Sequence, residues 1–282
     1  MVTVFALTAA ILYGSADFLG GAASRRSNVL AVLAVSVTTG TVVATAAALL
    51  AGGPPRAAGI AWGAAAGIAG GLGFMVFYAG LAAGPMGVVA PVSALVSTVL
   101  PVAAAVAAGE RPGPRVYAGA LACVAAIVLV SWDGGAAAPQ SGRAAARGVG
   151  YGVASGLAFG MFFLFIRNGG ESGGLWQVAA ARLAGTLIVV VAAAATRTGP
   201  VGWRPDGRAF LAAVSAGVAD SSANVCYALA TQAGLFGVAV VLTSLYPGVT
   251  VLLARFVLGE QMGWLRQAGL VLAVSGIALV TV

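Results

Sequence analysis

Long apolar runs alternate with short polar punctuation along the whole chain. Ten runs reach the roughly 20 mainly apolar residues that a helix needs to cross a bilayer. They lie at about 2–22, 29–51, 58–83, 87–108, 114–132, 149–168, 175–196, 208–232, 236–258 and 263–282. The gaps read SRRSN, GGPPR, GERPGP, SWDGGAAAPQSGR, RNGGESGG, TRTGPVGWRPDGR and GEQMG. The longest polar gap, near 133–147, falls at the midpoint, and none is long enough for a soluble domain. The pattern predicts an all-α membrane protein of ten transmembrane helices whose function lies inside the membrane part. The opening stretch MVTVFALTAAILYGSADFLG lacks the basic start of a signal peptide and is long enough to span, so a retained first helix is expected.

The two halves share a register. AGPMGVVAPVSALVSTVLPVAAAVAAGERP (83–112) aligns with AGLFGVAVVLTSLYPGVTVLLARFVLGEQM (233–262) at a constant offset of 150. Gly84, Gly87, Val88, Leu95, Gly109 and Glu110 fall on Gly234, Gly237, Val238, Leu245, Gly259 and Glu260. Gly119, Val124 and Ile127 fall on Gly269, Val274 and Ile277, and Tyr13-Gly14 matches Tyr151-Gly152 at a different offset. This divides the chain into a first repeat (1–132), an inter-repeat loop (133–148) and a second repeat (149–282). Five helices per repeat is an odd number, so the second repeat must enter the membrane from the other side. The expected architecture is two inverted five-helix repeats. Such repeats typify secondary transporters, with the substrate site near the midplane between the halves.

Composition sharpens this picture. Charged residues make up 7% of the chain, hydrophobic ones 61%, and the mean hydropathy is +1.03. A soluble domain carries about 25% charged residues. The net charge of +7 invites a nucleic-acid reading, but all 14 basic residues are scattered arginines, mostly in the short gaps. That placement suits anchoring at lipid headgroups. The chain has no His and no Lys, which excludes a histidine relay, a Schiff-base lysine and a His-ligated metal. Cys123 and Cys226 sit in apolar runs without zinc or redox spacing, as small core residues do.

Few polar groups fall within the spans. A central Asp or Arg costs roughly 2.5–3.5 kcal/mol to insert, so each should face a cavity or a partner. Asp220 is near the middle of the eighth span, with Asn224 and Tyr227 at i+4 and i+7 on the same face. That stripe suits a polar or cationic substrate, and its carboxylate can take up a proton; a structural ion pair with Arg182 is the alternative. Asp17 lies one turn after Tyr13 in the first span and either lines the cavity or pairs with Arg25 or Arg26. Arg182 binds a substrate carboxylate or holds Asp220. Arg255 is placed to snorkel to the interface. Glu110 and Glu260 end equivalent spans beside Arg111 and Arg266, which suggests a shared task such as holding the helix-end turn.

Pro91 and Pro101 in the fourth span and Pro247 in the ninth free backbone carbonyls and kink helices, and membranes tolerate that where the backbone is buried or lines a cavity. Ser93 and its repeat mate Thr243, with Ser244 and Tyr246, add neutral hydrogen-bonding groups to the same two spans. Tyr151 is the repeat counterpart of Tyr13. These residues make the fourth and ninth spans the expected cavity walls. Gly148, Gly152, Gly156 and Gly160, and likewise Gly63, Gly67 and Gly71, recur every four residues on one helix face. They allow close backbone approach, for static packing or for sliding. There is no GxxxxGK[ST] loop, no nucleophile with a His partner and no acidic cluster at metal-ligand spacing, so no enzyme, cofactor or metal is expected.

LYGSADFLGGAASRRS, APVSALVSTVLPVAAAVAAGERP and LTSLYPGVTVLLARFVLGEQM together resemble the EamA family of the drug/metabolite transporter superfamily, over nearly the whole chain and as two five-helix repeats. One departure stands out: Ser97 occupies the position of Pro247, and the first repeat's proline is shifted to Pro101. The resemblance implies a central cavity walled by spans 1, 3, 4, 6, 8 and 9. It implies export of amino acids, metabolites or toxic compounds across the cell membrane, and cytoplasmic termini. Arginine placement points the other way. Loops after odd-numbered spans hold eight arginines (Arg25, Arg26, Arg143, Arg147, Arg197, Arg204, Arg208, Arg266) and loops after even-numbered spans four (Arg56, Arg111, Arg115, Arg167). The functional reading is a secondary active exporter of a small metabolite, amino acid or drug-like compound, working by alternating access with proton coupling. An uncoupled facilitator or channel-like pore, and a non-transporting scaffold, are the alternatives. The expected partners are a small-molecule substrate, the lipid bilayer and protons, with no nucleic acid, in a monomer or homodimer.

Overall fold

A computed structural model describes residues 1–24, 26–27, 29–83, 86–131, 142–195, 206–258 and 263–281. Its helices are α1 (Val2–Ser24), α2 (Val29–Ala51), α3 (Ala57–Ala83), α4 (Met86–Ala107), α5 (Pro114–Ser131), α6 (Gly142–Ala195), α7 (Gly207–Ala233), α8 (Phe236–Thr243), α9 (Tyr246–Leu258) and α10 (Trp264–Thr281). Gly259, Glu260, Arg25, Arg197, Arg204 and most of the stretch 133–148 lie outside the described residues, as do the side chains of Pro91, Pro247, Arg143 and Arg266. α6 begins at Gly142, inside the stretch expected to be loop.

The helix boundaries differ from the expected spans in two places. The sixth and seventh spans run on as one element, α6, bent at Gly174, whose φ of 49° and ψ of −139° a side-chain-bearing residue rarely adopts. The ninth span is broken into α8 and α9. Proline explains the break: Pro247 has no N–H to return to the Thr243 carbonyl, so α8 stops there and α9 restarts with Pro247 in its first turn. The Ser244 and Leu245 N–H groups still close turns onto Val240 and Leu242 at 2.9 and 3.3 Å. In α4 the equivalent position is Ser97, and the helix continues through it.

Counted as crossings, seven stretches are long and apolar enough for a bilayer, with the two arms of α6 counted separately and α8–α9 as one. The shorter apolar helices Val92–Ala107, Pro114–Leu129 and Gln267–Leu279 bring the total to ten among the described residues. Large apolar side chains such as Leu50, Leu121, Leu211, Val271 and Phe256 point outward, a surface that lipid covers and water would not.

Glycine sets the helix spacing. A Cβ at Gly152 or Gly156 in the first arm of α6 would stand 2.8 Å from Val92 or 2.7 Å from the Ser93 carbonyl of α4. Gly63, Gly67 and Gly71 of α3 lie against Gln177, Ala181 and Ile188 of the second arm, and Gly70 and Gly73 against Phe162 and Phe159 of the first. Both glycine rows are therefore close-packing faces. α3 packs on both arms of α6, α7 on α1 and α2, and α5 on α10. The bundle is built from small residues approaching backbone to backbone, which is how helices associate where hydrophobicity no longer drives them.

Candidate functional site

Tyr13 and Asp17 of α1 and the Asp220 stripe of α7 turn away from the most exposed apolar side chains of their helices. On α1, the exposed apolar pair Val4 and Ile11 marks the lipid side. At 3.6 residues per turn, Asp17 is about 140° round the helix from Val4. Asp17 is nevertheless accessible at the surface of the bundle. On α7, Asp220 is about 180° from the exposed Leu211, with Asn224 and Tyr227 close beside it on the same face. The spacing argument for that stripe therefore matches the structure.

Arg182, on the second arm of α6, forms an ion pair through Nη1 with Oδ2 of Asp220. Its Nη2 donates to the Asp220 backbone carbonyl at 3.0 Å. Asn224 Nδ2 donates to the same carbonyl at 2.8 Å. The Tyr227 hydroxyl donates to Phe163 O at 3.3 Å, and its ring packs on Phe163 at 4.9 Å between centroids. Asp220, Arg182, Asn224 and Tyr227 thus hold one another or the first arm of α6.

The other half of the cluster is less satisfied. Tyr13 and Tyr246 bring their rings to 6.1 Å with a 60° tilt. The Tyr13 hydroxyl is buried and has no hydrogen-bond partner among the described residues. Asp17 lies within electrostatic reach of Asp220 and Tyr246, and Tyr13 within reach of Asp220 and Arg182. Asp17 has no ion-pair partner among the described residues, Arg26 included. With Asp17 ionised, two carboxylates and one guanidinium leave the cluster with one uncompensated negative charge.

The remaining expected residues are elsewhere. Tyr151 packs over Gly80 of α3. Ser93 accepts from Ser155 at 2.9 Å, and Thr243 donates to Ala6 O at 3.4 Å, so both hydroxyls serve helix–helix contacts. Ser244 is buried at the α8–α9 break and Pro101 is buried in α4. Pro91 and Pro247 are in α4 and α9 by backbone, with side chains outside the described set.

Several interhelical groups were not legible beforehand. Ser221 donates to Gly40 O at 2.6 Å, Thr250 to Gly14 O at 3.1 Å, and Gln177 Nε2 to Ile166 O beside the α6 bend. Small hydroxyls in apolar runs carry no sequence signal that separates a bonding role from filler.

Glu110 does more than hold its own turn. The helix-end turn belongs to Gly109, at φ 96°, with Glu110 N bonded to Ala105 O and Gly109 N to Val106 O, a Schellman closure. The carboxylate reaches across to the start of α8, accepting from Phe236 N at 3.0 Å and Gly237 N at 3.1 Å. Arg167 pairs with it at 3.5 Å and stacks over the Phe236 ring at 4.5 Å. A negative charge on two orphan N–H groups at a helix start is favourable twice over, by hydrogen bonding and by the helix dipole.

Comparison with known proteins agrees with this architecture. The family described as "EamA-like transporter family" matches residues 1–132 and 146–282, one match on each half. A solved structure titled only "Crystal structure of protein" superposes with a TM-score of 0.83 at 22% identity, covering 100% of this chain and 98% of that one, a likeness of fold. None of the curated proteins matches the sequence. Matched over both repeats and built of seven stretches able to cross a bilayer and three shorter apolar helices among the described residues, this multi-pass membrane protein belongs to the EamA-like transporter family, membrane transporters of the drug/metabolite type.

Proposed function

We propose that the protein is a secondary active transporter in the cell membrane that exports a small metabolite, amino acid or drug-like compound by alternating access, with proton uptake as the coupled flux. The observation that carries the reading is Asp17, an accessible carboxylate with no ion-pair partner among the described residues, beside Asp220, which Arg182 occupies. A free carboxylate at such a place exchanges a proton for a substrate, whereas a paired one is bound to its arginine. Coupling therefore moves from Asp220 to Asp17.

A shared packing relation between the halves supports the repeat on which alternating access rests. Gly14 of α1 nests on the Tyr246 carbonyl and Val249; Gly156 of α6 nests on the Ser93 carbonyl and Val96. In both, glycine meets a carbonyl and the valine three residues later. α1 also packs on α7 as the first arm of α6 packs on α3.

The test is proton flux in proteoliposomes carrying an internal pH dye, challenged with a panel of amines, amino acids and organic anions. At least one compound is expected to drive proton movement, and Asp17→Asn to abolish it while substrate equilibration persists. Equilibration of a compound with no proton movement in the unsubstituted protein is the outcome expected of a facilitator, and would sink the coupled reading.

A further inference from the structure

We infer that Asp17, Tyr13 and Tyr246 form a subsite for a protonated amine that carries N–H donors and no carboxylate. The inference rests on the transport reading and narrows its substrate class.

Charge comes first. The Arg182 fork is occupied, with Nη1 on the Asp220 carboxylate and Nη2 on the Asp220 carbonyl. A substrate carboxylate would have to displace one of these and would meet the two aspartates. Asp220 in turn is neutralised, so the net negative charge of the cluster resides on Asp17. A cation is the complement.

Hydrogen bonding then selects among cations. The Tyr13 hydroxyl is buried with no partner among the described residues, a hydrogen bond left unmade. An ammonium N–H supplies a donor both to the Tyr13 oxygen and to the Asp17 carboxylate, whereas a quaternary nitrogen supplies neither. Tyr13 sits one helical turn before Asp17 on α1, and its ring, tilted against that of Tyr246 from α9, adds aromatic surface for a cation. The adjoining Phe163–Tyr227 pair gives an apolar neighbour for an aryl or alkyl tail.

The test uses four probes that share one skeleton: phenethylamine, its N,N,N-trimethyl derivative, phenylalanine and 3-phenylpropionate. Each is titrated calorimetrically into the protein in lipid nanodiscs at pH 7. Phenethylamine is expected to bind tightest, the trimethyl derivative more weakly, phenylalanine more weakly still and phenylpropionate not at all. Asp17→Asn should weaken phenethylamine at least about tenfold, and Asp17→Glu should restore part of it. Tyr13→Phe should weaken phenethylamine by about fivefold and leave the trimethyl compound unchanged, a split that damage to the fold would not produce. Phenylalanine or phenylpropionate binding as tightly as phenethylamine overturns the proposal. So does a Tyr13→Phe effect equal on both amines. If phenethylamine binds as expected but neither it nor protons cross proteoliposomes, the subsite stands and the transport reading falls. If liposomes carry an acid while no amine binds, transport stands and the subsite falls.

Discussion

At the scale of residues, the protein separates its two central carboxylates by the company each keeps. Asp220 has Arg182; Asp17 has tyrosines and an accessible surface. Removing one member of a buried ion pair leaves the other charge without compensation and costs 3–5 kcal/mol where burial is complete. The Asp220 side chain is 31% exposed, so solvent screens part of that loss. Asp220→Leu or Arg182→Met alone is expected to destabilise by about 2 kcal/mol. The double replacement should recover more than half of it, because no lone charge remains. Thermal unfolding of the purified protein in one detergent measures this, and a double variant as unstable as the sum of the singles contradicts the argument. The stripe Asp220, Asn224, Tyr227 was legible because helical periodicity alone puts i, i+4 and i+7 together. The choice between a substrate arginine and a structural one was not legible, since it depends on how α6 packs on α7.

At the scale of elements, the break in the ninth span was legible at Pro247, whereas α4 runs as one helix from Met86 to Ala107 through Pro91 and Pro101, where kinks were expected. The separation of the sixth and seventh spans was legible in RNGGESGG, but not that the two arms of α6 would meet at a single non-helical residue, Gly174. Glu110 shows the limit more sharply. The repeated Gly-Glu step identified a meaningful position, but its main partner, the Phe236 N–H, is 126 residues away. No local pattern reaches that far. The carboxylate anchors α8, whose eight residues are all buried and which is too short to be stable alone. Glu110→Ala is expected to weaken the start of α8 by about 1–2 kcal/mol, the range for loss of a charged helix cap. Hydrogen exchange reads this directly. The Phe236 and Gly237 amides should exchange about tenfold faster or more, while amides in α5 and α10 keep their rates. Uniform acceleration along the chain would mean that Glu110 supports the whole bundle instead of one helix start.

At the scale of the molecule, the described bonds across helix ends gather at the end beside the N-terminus. α1 starts at the same end as the finish of α7, since Gly234 lies against Val2. Glu110 on Phe236 and Gly237, Arg167 on Glu110, Gln232 on Gly170 and Trp176 on Gly53 all bond across helix ends there. Toward the other end of α1, Asp17 is accessible, and a Cβ at Gly20 or Gly21 would meet nothing within 4 Å. On the proposed alternating-access reading, the end beside the N-terminus is expected to be the closed one and the accessible face at Gly20 to open opposite. This gives a prediction that needs no knowledge of absolute orientation. In a protein whose Cys123 and Cys226 have been replaced by alanine, Gly20→Cys should react with a membrane-impermeant maleimide added on the side opposite the N-terminus, located by protease access to an N-terminal tag. Val240→Cys, in fully buried α8, should stay unlabelled from either side. A transported amine should slow labelling at Gly20→Cys as the population shifts away from the open state, because a ligand redistributes conformers by its difference in affinity between them. Labelling of Gly20→Cys from the N-terminal side, or equal labelling from both, would place the opening at the wrong end and overturn that assignment.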